Sequence, residues 1–284
     1  SLSGDYGHVD ITQVCETLNS AYELGFREFD TAPSYGNGFM EFCLGNLFFN
    51  KPDVRINTKM GNIPFEGKSF KISLLKKSFD QSLIRLKRKK INILYLHNPR
   101  SDVENYSELF NFLNNLKSDG FINKTGLSMA VDFNYGNKID LSKFDVIQND
   151  VNLLNLSMLK TKYVKDIILT SRSPLASGML TEKFLNIQSF PSDDHRSQWL
   201  YGDKLALMKK KVKILKEVSS LDLTSLSLKF LFQEKKLDHI ICGIKNKSHL
   251  ANILKIDRLP DLTTSQINLI YNLYETNYGF NNEF

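Results

Sequence analysis

Two periodicities alternate along the chain. The runs FREFD, VRINTK, INILYLH, FDVIQND, DIILTSR and DHIICGI are short, rich in β-branched and aromatic residues, and read as strands. KTGLS is a shorter run of the same kind, and a weak helix is expected after it. The other stretches place apolar residues at helical spacing: FMEFCLGNLF, ISLLKKSFDQSLIRL, YSELFNFLNNLKSDG, LLNLSMLKTKY, KLALMKKKVKILKEV, SLSLKFLFQEK, SHLANILKI and TTSQINLIYNLYE. Strands alternating with helices predict parallel βαβ units. The seven strands found this way suit an α/β fold, a (β/α)8 TIM barrel with one strand unaccounted for. A length of 284 residues suits one such domain, residues 1–284, and no Pro/Gly/Ser-rich linker divides it.

Composition narrows the class. Hydrophobic residues make up 42 % and charged residues 24 %, enough for a large core under a soluble surface. The net charge of +6 is mild for this length. Its densest run, Lys87-Arg88-Lys89-Lys90, closes a helix and is read as complementing the helix dipole rather than as a nucleic-acid patch. Lys209-Lys210-Lys211 reads as a solvated helix face. Three scattered cysteines, Cys15, Cys43 and Cys242, argue for reduced thiols and against a disulfide framework or a zinc site. No apolar run reaches the roughly 20 residues of a membrane span, and SLSGDYGHVD lacks the regions of a signal peptide. A cytoplasmic protein with neither nucleic-acid nor membrane partner is expected.

Candidate chemistry gathers at strand ends. Asp30, Lys59 and His97 each close a strand run, and Tyr35 lies in the loop after the first. A barrel builds its active site from the carboxyl ends of successive strands. An acid, a phenol, an ammonium and an imidazole on one rim suit proton transfer to a carbonyl oxygen. The long stretch Ala176–Gly202, holding Trp199 and Asp193-Asp194-His195-Arg196, is either a rim lid or a fixed surface excursion. Two motifs fail. Gly36-Asn37-Gly38 has Glu41 where a dinucleotide fingerprint needs its third glycine. Gly67-Lys68-Ser69 has Asn62 where a phosphate loop needs its first.

AYELGFREFDTAPSYGNGFMEFCLG resembles the signature of the aldo-keto reductases. LHNP, GFINKTGLS, SRSPLASGMLT and GIKNKSHLANIL resemble later segments of that family, in the family's order. The resemblance implies a (β/α)8 barrel that reduces an aldehyde or ketone with NADPH, NADH being the alternative, without a metal. It implies the catalytic tetrad Asp30, Tyr35, Lys59 and His97. A free phenol holds its proton to about pH 10, and a nearby ammonium favours the phenolate. Asp30 would hold Lys59 charged, His97 would orient the substrate carbonyl, and Tyr35 would donate the proton.

By the same resemblance Ser128 and Gln148 bind the nicotinamide carboxamide, with Met129 where an Asn is usual. Arg172 stands near the place of a stacking aromatic, and Ser173, Leu175 and Ser177 lie in a loop approaching the pyrophosphate. Gly243, Ile244, Lys245 and Lys247 approach the adenosine phosphate. His249 and Asn252 follow, with Ile253 where an adenine-binding Asn is usual. Tyr6, Phe39, Asn98, Arg100 and Trp199 are candidates for the substrate pocket. The family's first strand has no counterpart after Ser1, so residues preceding Ser1 are expected in the parent protein. Two rival readings remain: a cofactor-binding regulatory or sensor protein of the same fold, and a barrel enzyme with acid–base chemistry but no hydride transfer.

Overall fold

A computed structural model describes residues 10–100, 103, 105–129, 139–161 and 166–280. The chain forms two compact units. One comprises Ser1–Asn149, Tyr163–Leu169 and Lys245–Lys247; the other comprises Asp150–Lys162, Thr170–Ile244 and Ser248–Phe284. In the first, α1 (Ile11–Glu23) leads to β1 (Glu28–Asp30), and α2 (Phe39–Phe48) to β2 (Arg55–Met60). A hairpin of β3 (Asn62–Ile63) and β4 (Gly67–Lys68) precedes α3 (Ile72–Leu86) and β5 (Ile91–His97). Then α4 (Tyr106–Ser118) leads to β6 (Ile122–Ser128), and a 3-10 turn to β7 (Val146–Asp150). The ladders β1–β2, β2–β5, β5–β6 and β6–β7 are all parallel, as the alternating pattern predicts. The second unit contains α5 (Ser157–Lys160), the end of β8 (Ile168–Arg172), α6 (Gly202–Lys216) and α7 (Leu223–Gln233). It continues through β9 (His239–Ile240), most of α8 (Lys247–Lys255) and α9 (Thr264–Glu275). Here β8 and β9 pair in parallel, Ser171 opposite Ile240.

The structure differs from the pattern in three places. The hairpin Asn62–Lys68 is absent from the sequence reading, because its strands are too short for periodicity to mark. LLNLSMLKTKY yields only the four-residue α5 among the described residues. Asn152 Oδ1 accepts from the Leu154 N–H, and Asn155 Oδ1 from the Ser157 N–H. Such side-chain turns give the backbone an alternative to helix. The weak helix expected after KTGLS falls largely on residues 130–138, outside the described residues.

The long stretch 176–202 is built, not loose. Arg196 donates to both carboxylate oxygens of Asp194, at 2.9 and 2.6 Å, and to the Ser177 carbonyl at 2.9 Å. Its guanidinium lies 4.3 Å from the Phe190 ring centre. Leu180, Phe184 and Leu200 are buried. This bonding favours the fixed excursion over the lid.

The basic run also has a more specific role than a dipole partner. Lys87 closes α3 in a left-handed conformation. Arg88 reaches across to the end of α2 and donates to the carbonyls of Phe48 and Lys51, each of which also accepts a backbone N–H from the turn that follows the helix.

Helices α2 and α3 meet at Gly45. A Cβ there would lie 2.1 Å from the Arg85 carbonyl oxygen, so no side chain fits. The close approach lets Arg85 pair with Glu41 at 2.7 Å, and Glu41 is wholly buried. Elsewhere in a helix, Gly→Ala gains about 1 kcal/mol of propensity. Gly45→Ala is expected to reverse that sign and lose about 1–3 kcal/mol, the usual cost of overpacking. Urea unfolding measures it; unchanged or raised stability would refute the close approach.

Candidate active site

The inward side of the β1–β2 pair carries a buried cation. Asp30 closes β1, and Lys59 lies near the end of β2. The Lys59 ammonium donates to Asp30 Oδ1, with which it forms an ion pair, and to the Thr31 carbonyl at 2.8 Å. Burial pushes this ammonium toward neutrality. The Asp30 charge, then the Tyr35 phenol, then hydrogen bonds to both outweigh burial, and the Lys59 pKa lies above its ordinary value of 10.5.

Tyr35 is held beside Lys59 by a tight turn. Its N–H donates to the Ala32 carbonyl, and its own carbonyl accepts from Met40 at the start of α2. The Lys59 ammonium lies 4.9 Å from the Tyr35 ring centre. His97 closes β5, buried, with its ring edge-on to Tyr35 at 6.1 Å and 85°. His97 Nδ1 bonds Asn62 Nδ2 at 3.1 Å. An amide N–H only donates, so in this pairing Nδ1 is the acceptor. Thus Asp30, Tyr35, Lys59 and His97 are brought together.

Their support is polar and buried. Gln148 Nε2 donates to Asp30 Oδ2 at 3.0 Å, and Ser128 Oγ donates to Gln148 Oε1 at 3.0 Å. Ser128 and Gln148, opposite each other on β6 and β7, are therefore joined to the tetrad through Asp30. Tyr95 extends its ring 6.0 Å from the Lys59 ammonium. That is possible because Gly126 lies opposite it on β6: a Cβ there would come 2.3 Å from the ring.

The remaining candidates are placed as follows. Phe39 opens α2, half-buried. Asn98 follows β5 with φ 50°, its N–H on the Ser128 carbonyl, and Arg100 is exposed. Tyr6 lies outside the described residues. In the first unit, Lys245 precedes α8 and Lys247 opens it, paired with Glu16 at 3.3 Å. In the second unit, Arg172 closes β8, its Nε donating to Asp150 Oδ1 at 2.6 Å, and Ser173 Oγ donates to the same oxygen at 3.1 Å. Leu175 and Ser177 follow, Ser177 with φ 55°. Gly243 and Ile244 lead toward α8, which exposes His249 and Asn252 with Ile253 half-buried. Trp199 is half-buried, with the Lys204 ammonium 5.3 Å from its ring centre. Asn62, Tyr95 and the Thr31 carbonyl were missed by sequence reasoning. Gly61, Pro64 and Gly67 were the available signal for the turn that brings Asn62 to His97.

The Lys59 shift has a stability consequence. A lysine whose folded pKa is raised contributes stability that is fully present below its unfolded pKa and is lost as pH climbs through the folded value. The stability difference between the parent chain and Lys59→Met is expected to hold steady from neutrality to about pH 10 and to shrink above it. Urea unfolding across that range measures it, and a constant difference up to pH 11.5 would contradict the pairing.

The chain is also similar to known proteins. The sequence profile of the Aldo/keto reductase family matches residues 1–275. The chain is 30 % identical over 283 residues to L-galactose dehydrogenase of Arabidopsis thaliana, covering 93 % of this chain and 84 % of that protein. It is 25 % identical over 282 residues to a probable voltage-gated potassium channel subunit beta of the same plant, covering 90 % and 85 %. Among solved structures, glycerol dehydrogenase AKR11B4 from Gluconobacter oxydans superposes with a TM-score of 0.77 at 19 % identity, covering 100 % of this chain and 92 % of that one. The holo form of aldo-keto reductase AKR11C1 from Bacillus halodurans gives 0.73 at 20 % identity, covering 94 % and 88 %. The chain therefore belongs to the aldo/keto reductase family, nicotinamide-dependent oxidoreductases built on a (β/α)8 barrel.

Proposed function

We propose that this protein reduces an aldehyde or ketone with NADPH, Tyr35 supplying the proton. The observation that carries the reading is the phenol held between a fully buried, doubly anchored ammonium and an imidazole bonded to Asn62. Lys59 is kept charged by Asp30 and stabilises negative charge at the phenol oxygen as its proton leaves. His97 Nε2–H orients the carbonyl oxygen. Ser128 and Gln148 offer a buried hydroxyl oxygen and the second N–H of a primary amide, an acceptor and a donor that suit a carboxamide. Lys245 and Lys247 are assigned to the adenosine phosphates. The bound nicotinamide supplies the hydride. Among the described residues no helix is long and apolar enough to cross a membrane; we assign the protein to the cytoplasm, with a small carbonyl compound as its partner. The potassium-channel subunits among its relatives favour, as a second reading, a cofactor-binding regulator with little turnover.

Tyr35→Phe separates the readings. It is expected to cut turnover at least ~10²-fold, the usual contribution of a general acid, and to leave NADPH affinity nearly unchanged. Near-normal turnover would reject Tyr35 as the acid, and tight NADPH binding without turnover in the parent would favour the regulator.

Cofactor choice is tested apart from catalysis. NADPH is expected to bind more tightly than NADH, by a margin that narrows with added salt and in the Lys245→Ala/Lys247→Ala double variant. Equal affinities in the parent would remove both lysines from the cofactor site.

A further inference from the structure

The hairpin after Lys59 has a rigid base and a strained, uncovered tip. At the base, Ser69 N–H donates to the Gly61 carbonyl at 2.8 Å, and Asn62 pairs with Lys68. The Phe70 ring packs on Gly61, where a Cβ would come within 2.5 Å. At the tip, Glu66 N–H donates to the Ile63 carbonyl, which makes Pro64 and Phe65 the central residues of the turn. Phe65 has φ 62°. Pro followed by a positive φ is the type II arrangement, whose second central position favours glycine. Here it holds a phenylalanine whose surface is 89 % exposed. A bulky residue at positive φ is an outlier, and an exposed phenyl gains nothing from burial to offset it. Glu66 beside it is drawn back to Lys77 on α3 at 3.5 Å, so the tip is anchored without Phe65. Meanwhile the root of the hairpin touches the chemistry, since Asn62 is the partner of His97. Phe65 follows Asn62 by three residues, at most about 10 Å of chain.

Strain and exposure at one residue, on a rim hairpin rooted at His97, are unfavourable in the free protein and find their reason in a bound ligand. Resting on the carbonyl-reductase reading above, we infer that Phe65 is a specificity-determining residue: its ring covers the aryl or alkyl arm of a substrate whose carbonyl lies at Tyr35 and His97. The favoured substrate class is then an aldehyde or ketone with an apolar arm of several carbons. A short polyol aldehyde does not reach the ring.

Phe65→Gly tests this without endangering the fold, because glycine accepts the positive φ; the melting temperature should hold or rise. With NADPH, KM for cinnamaldehyde is expected to climb about tenfold, the scale of a lost apolar contact. Turnover number, NADPH affinity and KM for glyceraldehyde stay put, and Phe65→Leu retains most of the preference. Parallel changes for the two aldehydes, or none, would overturn the inference. A binding arm keeps it independent of turnover: calorimetric titration of each aldehyde into NADPH-loaded Tyr35→Phe, with and without Phe65→Gly. If the parent reduces neither aldehyde, the reductase reading fails while calorimetry still decides on Phe65. Cinnamaldehyde affinity that ignores Phe65, or no cinnamaldehyde binding at all, rejects the subsite.

Discussion

One buried charge organises this site. An ammonium removed from water and left unpaired costs several kcal/mol, so Lys59 can be buried only where a carboxylate and a carbonyl meet it. Asp30 and the Thr31 carbonyl do so, and both belong to the end of the neighbouring strand β1. The requirement propagates. Asp30 spends one oxygen on Lys59 and must satisfy the other, which accepts from Gln148 on β7; Gln148 in turn accepts from Ser128 on β6. Tyr35 and Tyr95 then present their rings to the same cation, at 4.9 and 6.0 Å. A single electrostatic demand thus ties together strands that are far apart in sequence and leaves a phenol next to a positive charge.

Away from the rim, a second polar chain runs across the sheet. Asn123 donates to Asn92, Asn92 to Asn57, and Asn57 to Glu28, which also accepts from Arg55. Four strands contribute one link each. Apolar side chains tolerate small shifts between strands, whereas amide-to-amide bonds have a narrow geometry. The chain therefore pins the relative heights of β1, β2, β5 and β6, on which the meeting of Asp30 with Lys59 depends.

Much of this was legible in the sequence. The strand runs end on the residues that carry the chemistry, and FREFD, VRINTK and INILYLH are strands in the structure with Asp30, Lys59 and His97 where the pattern puts them. Legibility fails where the cause is long-range or where elements are very short. Nothing local marks Gln148 as a partner of Asp30, 118 residues away. Asn62 and Phe65 sit in a hairpin with strands of two residues each, below the length at which alternation has meaning. The irregular stretch 176–202 looks like a loop because its order comes from Arg196, whose side chain reaches back 19 residues to the Ser177 carbonyl. Arg88 reads as a surface cation because its acceptors, at the end of α2, are 40 and 37 residues earlier.

The precision of the site also depends on the face of β2 that points away from it. Successive strand residues face opposite sides of a sheet. Lys59 faces Asp30, and its neighbour Thr58 faces the helices, where its hydroxyl donates to the buried carboxylate of Glu41 at 2.6 Å. Glu41 is held by Arg85 of α3 and receives Ser82 as well. One strand is therefore bound on both faces by buried charged networks, set one residue apart. A one-residue slip would exchange the two faces, putting a threonine opposite Asp30 and a lysine against the α2–α3 packing, and would take the ammonium from Asp30 and the Thr58 hydroxyl from Glu41 at once. An apolar strand in the same place would lose only packing on slipping. The two networks make misregister of β2 far more costly than that, and they do so at the residue whose position sets the charge beside Tyr35. Gly45 belongs to the same device, since only its missing side chain lets α3 come near enough for Arg85 to meet Glu41.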